Sequence, residues 1–89
     1  KLNQNYPNPF NAETIINYQL HKESHVCLKL HNLMGQEVIT LVNRKHVPGE
    51  YYAKWNGNNF QGNRVSSGIY IINFDAESYT KSLKILLLK

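Results

Sequence analysis

Four histidines, one cysteine, paired serines and an asparagine-rich turn are the residues of this 89-residue chain whose types could do chemistry. His21, His25, His31 and His46 would serve a metal only if the fold gathered them. His25 and His31 fall on one face of an extended strand, but six positions at about 3.3 Å each put them about 20 Å apart, too far to share an ion. No Cys/His spacing resembles a zinc site. Cys27 has no second cysteine with which to close an internal disulfide. Ser66 and Ser67 lack an adjacent His–acid pair to activate a hydroxyl, so a hydrolytic triad has no support. The run Asn56-Gly57-Asn58-Asn59-Phe60-Gln61-Gly62-Asn63 is rich in oxygen, as a calcium loop is, yet it contains none of the carboxylates calcium favours. It reads as a glycine-rich turn. For sugar stacking, Trp55 shares a predicted face with Tyr51 and Ala53 and reads as core, which leaves Tyr52 outward and alone. Neither catalysis nor a cofactor or metal site is expected from these residues.

The elements that position them come from a chain long enough for one domain, the usual range being roughly 50–250 residues. Hydrophobic residues make up 42% and charged residues 18%, a composition that folds. Ten Lys+Arg against six Asp+Glu give a net charge of +4 and a pI of about 9.3. Lys22, Lys29, Arg44, Lys45, Lys54, Arg64, Lys81, Lys84 and Lys89 are scattered, whereas a nucleic-acid footprint clusters its basic residues. The longest apolar run, Ile85–Leu88, is far short of the roughly 20 residues of a transmembrane helix. No signal-peptide pattern opens the chain, which starts at Lys1 and reads as a segment of a longer polypeptide.

Between turn residues the chain alternates apolar and polar positions, the period of half-buried strands. Of twelve asparagines, eight concentrate at residues 3–11 and 56–63, where their side chains favour turns. Thr14–Leu20 places Thr14, Ile16, Tyr18 and Leu20 on one face. Val26, Leu28 and Leu30 form a second stripe, followed by a tight turn at Asn32-Leu33-Met34-Gly35. Glu37–Val42 is a short strand anchored by Val38, and Pro48-Gly49 turns the chain again. Tyr51, Ala53 and Trp55 share a face, as do Tyr70, Ile72 and Phe74 of Ile69–Ala76, and Leu83, Ile85 and Leu87 of Thr80–Leu88. Arg64–Ser66 is a candidate seventh strand. No window carries a helical stripe. Short strands at roughly 8–12-residue spacing predict an all-β sandwich, with residues 1–12 an extended lead-in and 13–89 the sandwich. Pro7 and Pro9 bias Tyr6 and Asn8 toward extended backbone, so Tyr6 and Phe10 are expected to plug one end of it. Gly68-x-Tyr70 fits a tyrosine-corner-like feature, with the hydroxyl bonded to backbone.

These segments also match known motifs. Asn5-Tyr6-Pro7-Asn8-Pro9-Phe10-Asn11 followed by Thr14-x-Ile16-x-Tyr18-x-Leu20 resembles the opening of the type A C-terminal sorting domains of type IX secretion. Val26-x-Leu28-x-Leu30-x-Asn32-x-x-Gly35-Gln36-Glu37-Val38 resembles their second motif, and Gly49-x-Tyr51-x-x-x-Trp55-x-Gly57 their third. Asn63-x-Val65-x-Ser67-Gly68-Ile69-Tyr70 resembles the fourth, and Thr80-Lys81 with the apolar-plus-lysine tail the last. Gly62 falls within the same pattern. The middle and end are also similar to the immunoglobulin-like domain of the flagellar hook-capping protein. The sequence departs from both patterns at Asn56, where Asp is common, and from the sorting pattern at Ser82, where a second basic residue is frequent.

The resemblance implies an immunoglobulin-like sandwich of about seven antiparallel strands acting as a non-catalytic label at the C-terminus of an exported protein. Such cargo crosses the inner membrane on its own signal. The folded label is then recognised by the type IX outer-membrane translocon, and a sortase-like surface peptidase often removes it, leaving the cargo secreted or at the cell surface. The candidates for the sorting signal are Ser67, Gly68, Tyr70, Thr80, Lys81, Lys84, Leu86, Leu88 and Lys89. With Leu83, Ile85 and Leu87 inward, Leu86 and Leu88 are expected outward on a terminal strand, where exposed apolar residues invite association. Two other readings stay open from the residues alone: a carbohydrate-binding accessory module, and a structural spacer or assembly domain.

Overall fold

Alternating burial governs four strands and the second half of a fifth in the computed structural model, which describes residues 1–3, 13–77 and 79–88. The elements are β1 (Thr14–Leu20), β2 (Ser24–His31), β3 (Glu37–His46), β4 (Gly49–Trp55), β5 (Gly68–Ala76) and β6 (Tyr79–Leu87). β1 and β4 pair as one sheet, and β3-β2-β5-β6 form the other. All pairings are antiparallel. The chain is therefore all-β and sandwich-like, with six strands among the described residues rather than seven. Arg64–Ser66 forms no strand; Arg64 makes an isolated bridge to Asn58 instead. This short stretch is tied into a loop, and its pattern alone could not show that.

The core is what the alternation predicts. Ile16, Tyr18 and Trp55 come from the small sheet, and Val26, Leu28, Leu30, Ile72, Phe74, Ile85 and Leu87 from the large one, all buried. Each such side chain contributes roughly 1.5–3 kcal/mol on leaving water. Aromatic contacts cross between the sheets, two of them made by β5. Tyr18 of β1 meets Phe74 of β5 with ring centroids 5.3 Å apart. Trp55 of β4 meets Tyr70 of β5 edge-on at 5.4 Å.

β3 departs from the expected Glu37–Val42 and runs four residues further, to His46. Its register against β2 shifts at Leu28/Lys29 and again at Leu30/His31. A bulge changes which face a residue takes, so β3 loses the clean alternation by which its length could have been read. The turn between β2 and β3 is as expected. The Asn32 side-chain oxygen accepts the Met34 and Gln36 N–H groups at 2.9 and 3.0 Å. Gly35 adopts φ +83°, which a residue with a Cβ resists.

The lead-in is more than extended chain at its start. Leu2 is buried and bridges Tyr18, Asn3 N–H donates to Asn17 O at 3.0 Å, and Gln19 N–H to Lys1 O at 2.7 Å. Lys1–Asn3 thus add to the side of β1 away from β4. The motif residues Asn5, Tyr6, Pro7, Asn8, Pro9, Phe10 and Asn11, and with them the expected Tyr6/Phe10 plug, lie outside the described residues, as does Lys89.

At the end of β3, the His46 ring packs 4.0 Å from the Tyr51 ring, centroid to centroid. Its Nε2 is 3.1 Å from the Tyr18 hydroxyl. Burial raises the Tyr18 phenol's pKa, so the phenol keeps its proton, and the tautomer of the imidazole sets which of the two groups donates. Burial first, and the Arg44 charge second, push His46 below the ordinary value of 6.5. The unfolded chain then binds the proton more readily than the folded one. Stability from this group is complete above pH 6.5 and is lost as pH falls through the depressed folded value. His46→Phe keeps the ring and removes the titration. Urea unfolding at a series of pH values from neutral to mildly acidic is expected to show a shallower acid-side loss in His46→Phe than in the wild type. Identical slopes would contradict a half-buried His46 whose charged form the fold disfavours.

Candidate functional site: the loop-and-strand end of the sandwich

The asparagine-rich loop between β4 and β5 is held by its own backbone. Asn56 Oδ1 accepts Asn58 N–H at 3.1 Å. Asn59 Oδ1 accepts both Gln61 and Asn63 N–H at 3.0 Å. These oxygens satisfy turn amides, which supports the reading of a turn over that of a calcium loop. Three further bonds pin the loop to the sandwich. Trp55 Nε1–H donates to Asn58 O at 2.8 Å, Phe60 N–H to Val38 O at 3.0 Å, and the Tyr70 hydroxyl to Ser66 O at 2.6 Å. The last is the tyrosine-corner-like bond anticipated at Gly68-x-Tyr70. Trp55 is core, at 1% exposure, and its one polar atom is used within the loop.

Fixing the loop against the turn between β2 and β3 leaves an open groove of about 650 Å³, whose lining includes Leu33, Glu37, Phe60, Arg64, Ser67 and Ile69. Phe60 is 72% and Leu33 64% exposed. Ile69 stands opposite Leu86, and Gly68 opposite Leu87. Leu86 and Leu88 are exposed while Ile85 and Leu87 are buried. An apolar strip therefore passes from Leu33 and Phe60 through Ile69 to Leu86 and Leu88. On the rim, Glu37 accepts from the Thr40 hydroxyl at 2.8 Å and lies 3.5 Å from Lys29 Nζ. The Thr40 bond is the main reason its carboxyl titrates below the ordinary range, with Lys29 adding to it. An exposed pair of this kind contributes little to stability.

The candidate signal residues divide. Ser67, Gly68, Tyr70, Leu86 and Leu88 meet at this end, and Lys84, opposite Ile71, is exposed nearby. Thr80 and Lys81 face Asp75 and Phe74 near the β5–β6 turn; Thr80 is about 20 Å along the strand from Leu86. Among the glycines, Gly35, Gly57 and Gly62 belong to turns at the groove end, whereas Gly49 pairs with Leu20 at the opposite end. Sequence reasoning missed Leu33, Phe60 and Ile69. The signal for the first two was an apolar residue inside an otherwise polar turn.

The remaining candidates are occupied or isolated. His25 Nε2 is 2.6 Å from Asn43 Oδ1, and His31 Nδ1 is 2.6 Å from Asn73 Oδ1. Tyr52 is exposed, as expected, but Asn17 stands opposite it on β1, so the adjacent strand extends no aromatic platform.

The secretion system C-terminal sorting domain family matches residues 4–88. The chain belongs to that family. The matched span includes Asn5–Asn11 and the whole of β6, so it covers both ends of the motif series. No curated protein matches the chain. Among solved structures, one of PorZ superposes with a TM-score of 0.67 over 97% of this chain at 22% identity. PorZ is described as an essential bacterial surface component of the type-IX secretion system of Porphyromonas gingivalis. This sorting domain spans 11% of that chain, and likeness at this identity speaks to the fold.

Tyr70→Phe removes one hydroxyl and leaves Ser66 O without its donor. It should lower the unfolding free energy by about 0.5–1.5 kcal/mol without changing the fold. Trp55 is the chain's one tryptophan, so its fluorescence during urea unfolding reports this end of the sandwich directly. An unchanged midpoint would show that the hydroxyl does not hold the loop.

Proposed function

We propose that this domain is the address label of an exported protein, read as a folded surface by the type IX outer-membrane translocon. The cargo precedes it in the same polypeptide and reaches the periplasm on its own signal. Recognition then carries the cargo across the outer membrane to the medium or the cell surface, and a sortase-like surface peptidase removes the label where attachment follows. The label itself is non-catalytic. Family membership over residues 4–88 and the type IX context of PorZ support this reading. The two-sheet packing and the Tyr70–Ser66 bond favour an immunoglobulin-like form of the sandwich.

The observation that carries the proposal is the division of labour within β6. Ile85 and Leu87 are buried, while Lys84, Leu86 and Leu88 are exposed. Strand β6 is also an end strand in the order of its sheet. Exposed leucines on an end strand are an association liability in a protein with no partner, and strand addition or groove docking turns that liability into recognition. Ser67 and Gly68 border the same end. We assign the receptor contact to Leu86 and Leu88, with Lys84 supplying positive charge on the strand, Lys89 adding its charge to the motif, and Thr80 and Lys81 extending it toward the β5–β6 turn.

Leu86→Ser with Leu88→Ser should leave the domain folded, since surface substitutions typically change stability by only about 0.5 kcal/mol. A fluorescent reporter carrying an N-terminal Sec signal and this domain is expected outside cells that have a working type IX system. The same reporter with the double substitution is expected to accumulate in the periplasm with its melting temperature preserved. Normal export of the double variant would refute the assignment of contact to these leucines.

A further inference from the structure

The Asn56–Gly57 step, an exposed asparagine followed by a buried glycine, lies within a set of hydrogen bonds that bear on its own chemistry. Loss of an asparagine side-chain amide begins when the following backbone nitrogen attacks the side-chain carbonyl carbon. It is favoured when that nitrogen gives up its proton easily, the carbonyl is polarised, and the two atoms are held close. Each condition has a residue here. The Arg64 guanidinium donates to Asn56 O at 2.7 Å, drawing electron density from the peptide that contains the Gly57 nitrogen and so making that N–H more acidic. Asn58 N–H donates to Asn56 Oδ1 at 3.1 Å, where negative charge gathers during attack, as an oxyanion donor does. The same bond folds the Asn56 side chain back over the Gly57 peptide in an Asx-turn. Gly57 has no Cβ to obstruct the approach.

We propose that Asn56 is a self-modifying site, converted within the native fold to aspartate or isoaspartate with assistance from Arg64 and Asn58. The Gly57 nitrogen loses its proton to hydroxide and bonds to Cγ of Asn56. The Cγ–Nδ2 bond breaks, and ammonia leaves with a proton from solvent. The resulting five-membered imide is opened by water. Attack at Cγ breaks its bond to the Gly57 nitrogen and yields aspartate; attack at the main-chain carbonyl yields isoaspartate, with the chain running through the side-chain carbon.

The two products differ in effect. Aspartate keeps the acceptor for Asn58 N–H and strengthens it with charge, while placing a negative charge beside Arg64, a residue of the groove. Isoaspartate lengthens the backbone between Trp55 and Asn58 and displaces the carbonyl that accepts Trp55 Nε1–H. Ageing of the folded domain therefore changes the charge of the groove in one branch and loosens the loop in the other.

The experiment incubates the folded domain at mildly alkaline pH and follows amide-to-acid conversion by mass spectrometry, with fragmentation to locate it. Parallel samples are the same chain in urea and the Arg64→Gln variant, whose folding is verified by Trp55 fluorescence. Conversion at Asn56 in the folded wild type should be at least as fast as in urea. It should be about fivefold slower in folded Arg64→Gln, the net worth of one typical intramolecular hydrogen bond. An amide that survives in the folded domain while it is lost in urea would overturn the proposal, because the loop would then be clamping the site. An unchanged rate in Arg64→Gln would overturn it too.

Discussion

The contact between Trp55 and Tyr70 is the constraint on which the functional end depends. Their rings join the two sheets edge-on. The polar atom of each is spent on the intervening loop, Trp55 Nε1–H on Asn58 O and the Tyr70 hydroxyl on Ser66 O. A chain of this length buries only about 60–65% of its unfolded surface, so few contacts can be spared for fixing loops. Using the polar handles of two core aromatics solves this, since neither ring need leave the core to tie down the loop. The groove between Phe60 and Leu33 exists because that loop is fixed against the turn that Asn32 organises.

β6 carries a second constraint. The period of a strand sends Ile85 and Leu87 into the core and leaves Lys84, Leu86 and Leu88 outside. Stability and display are thus written in alternate residues of one segment. Removing the segment to test display also removes two core residues and the pairing of β5 with β6. Loss of export after such a deletion would report unfolding as much as loss of a signal, so surface substitutions are the informative change.

Much of this was legible in the residues. Period-two alternation identified the inward faces of β1, β2, β4, β5 and the second half of β6, because each has one face on the core and one toward solvent. It also placed Trp55 inside and Tyr52 outside. β3 was legible only in its first half, since bulges against β2 erase the alternation from which its length could be read. The absence of a strand at Arg64–Ser66 follows from tertiary ties, the Tyr70–Ser66 bond among them, which no local pattern records. The same holds for the groove. Leu33, Phe60 and Ile69 come from three separate segments, and only the fold reveals that they line one groove and that Ile69 stands opposite Leu86. The split of the candidate signal into a cluster around Ser67, Gly68 and Leu86 and a distant Thr80–Lys81 pair was likewise invisible in one dimension.

The measurement that tests the sorting role most directly compares two hosts with one cargo. A fluorescent reporter with an N-terminal Sec signal and this intact domain at its C-terminus is expressed in a bacterium with a type IX system and in an otherwise identical strain lacking the outer-membrane translocon. The account predicts reporter in the medium or on the surface of the first strain, and folded reporter held in the periplasm of the second. Export from both strains, or retention in both with the domain shown to be folded, would contradict it.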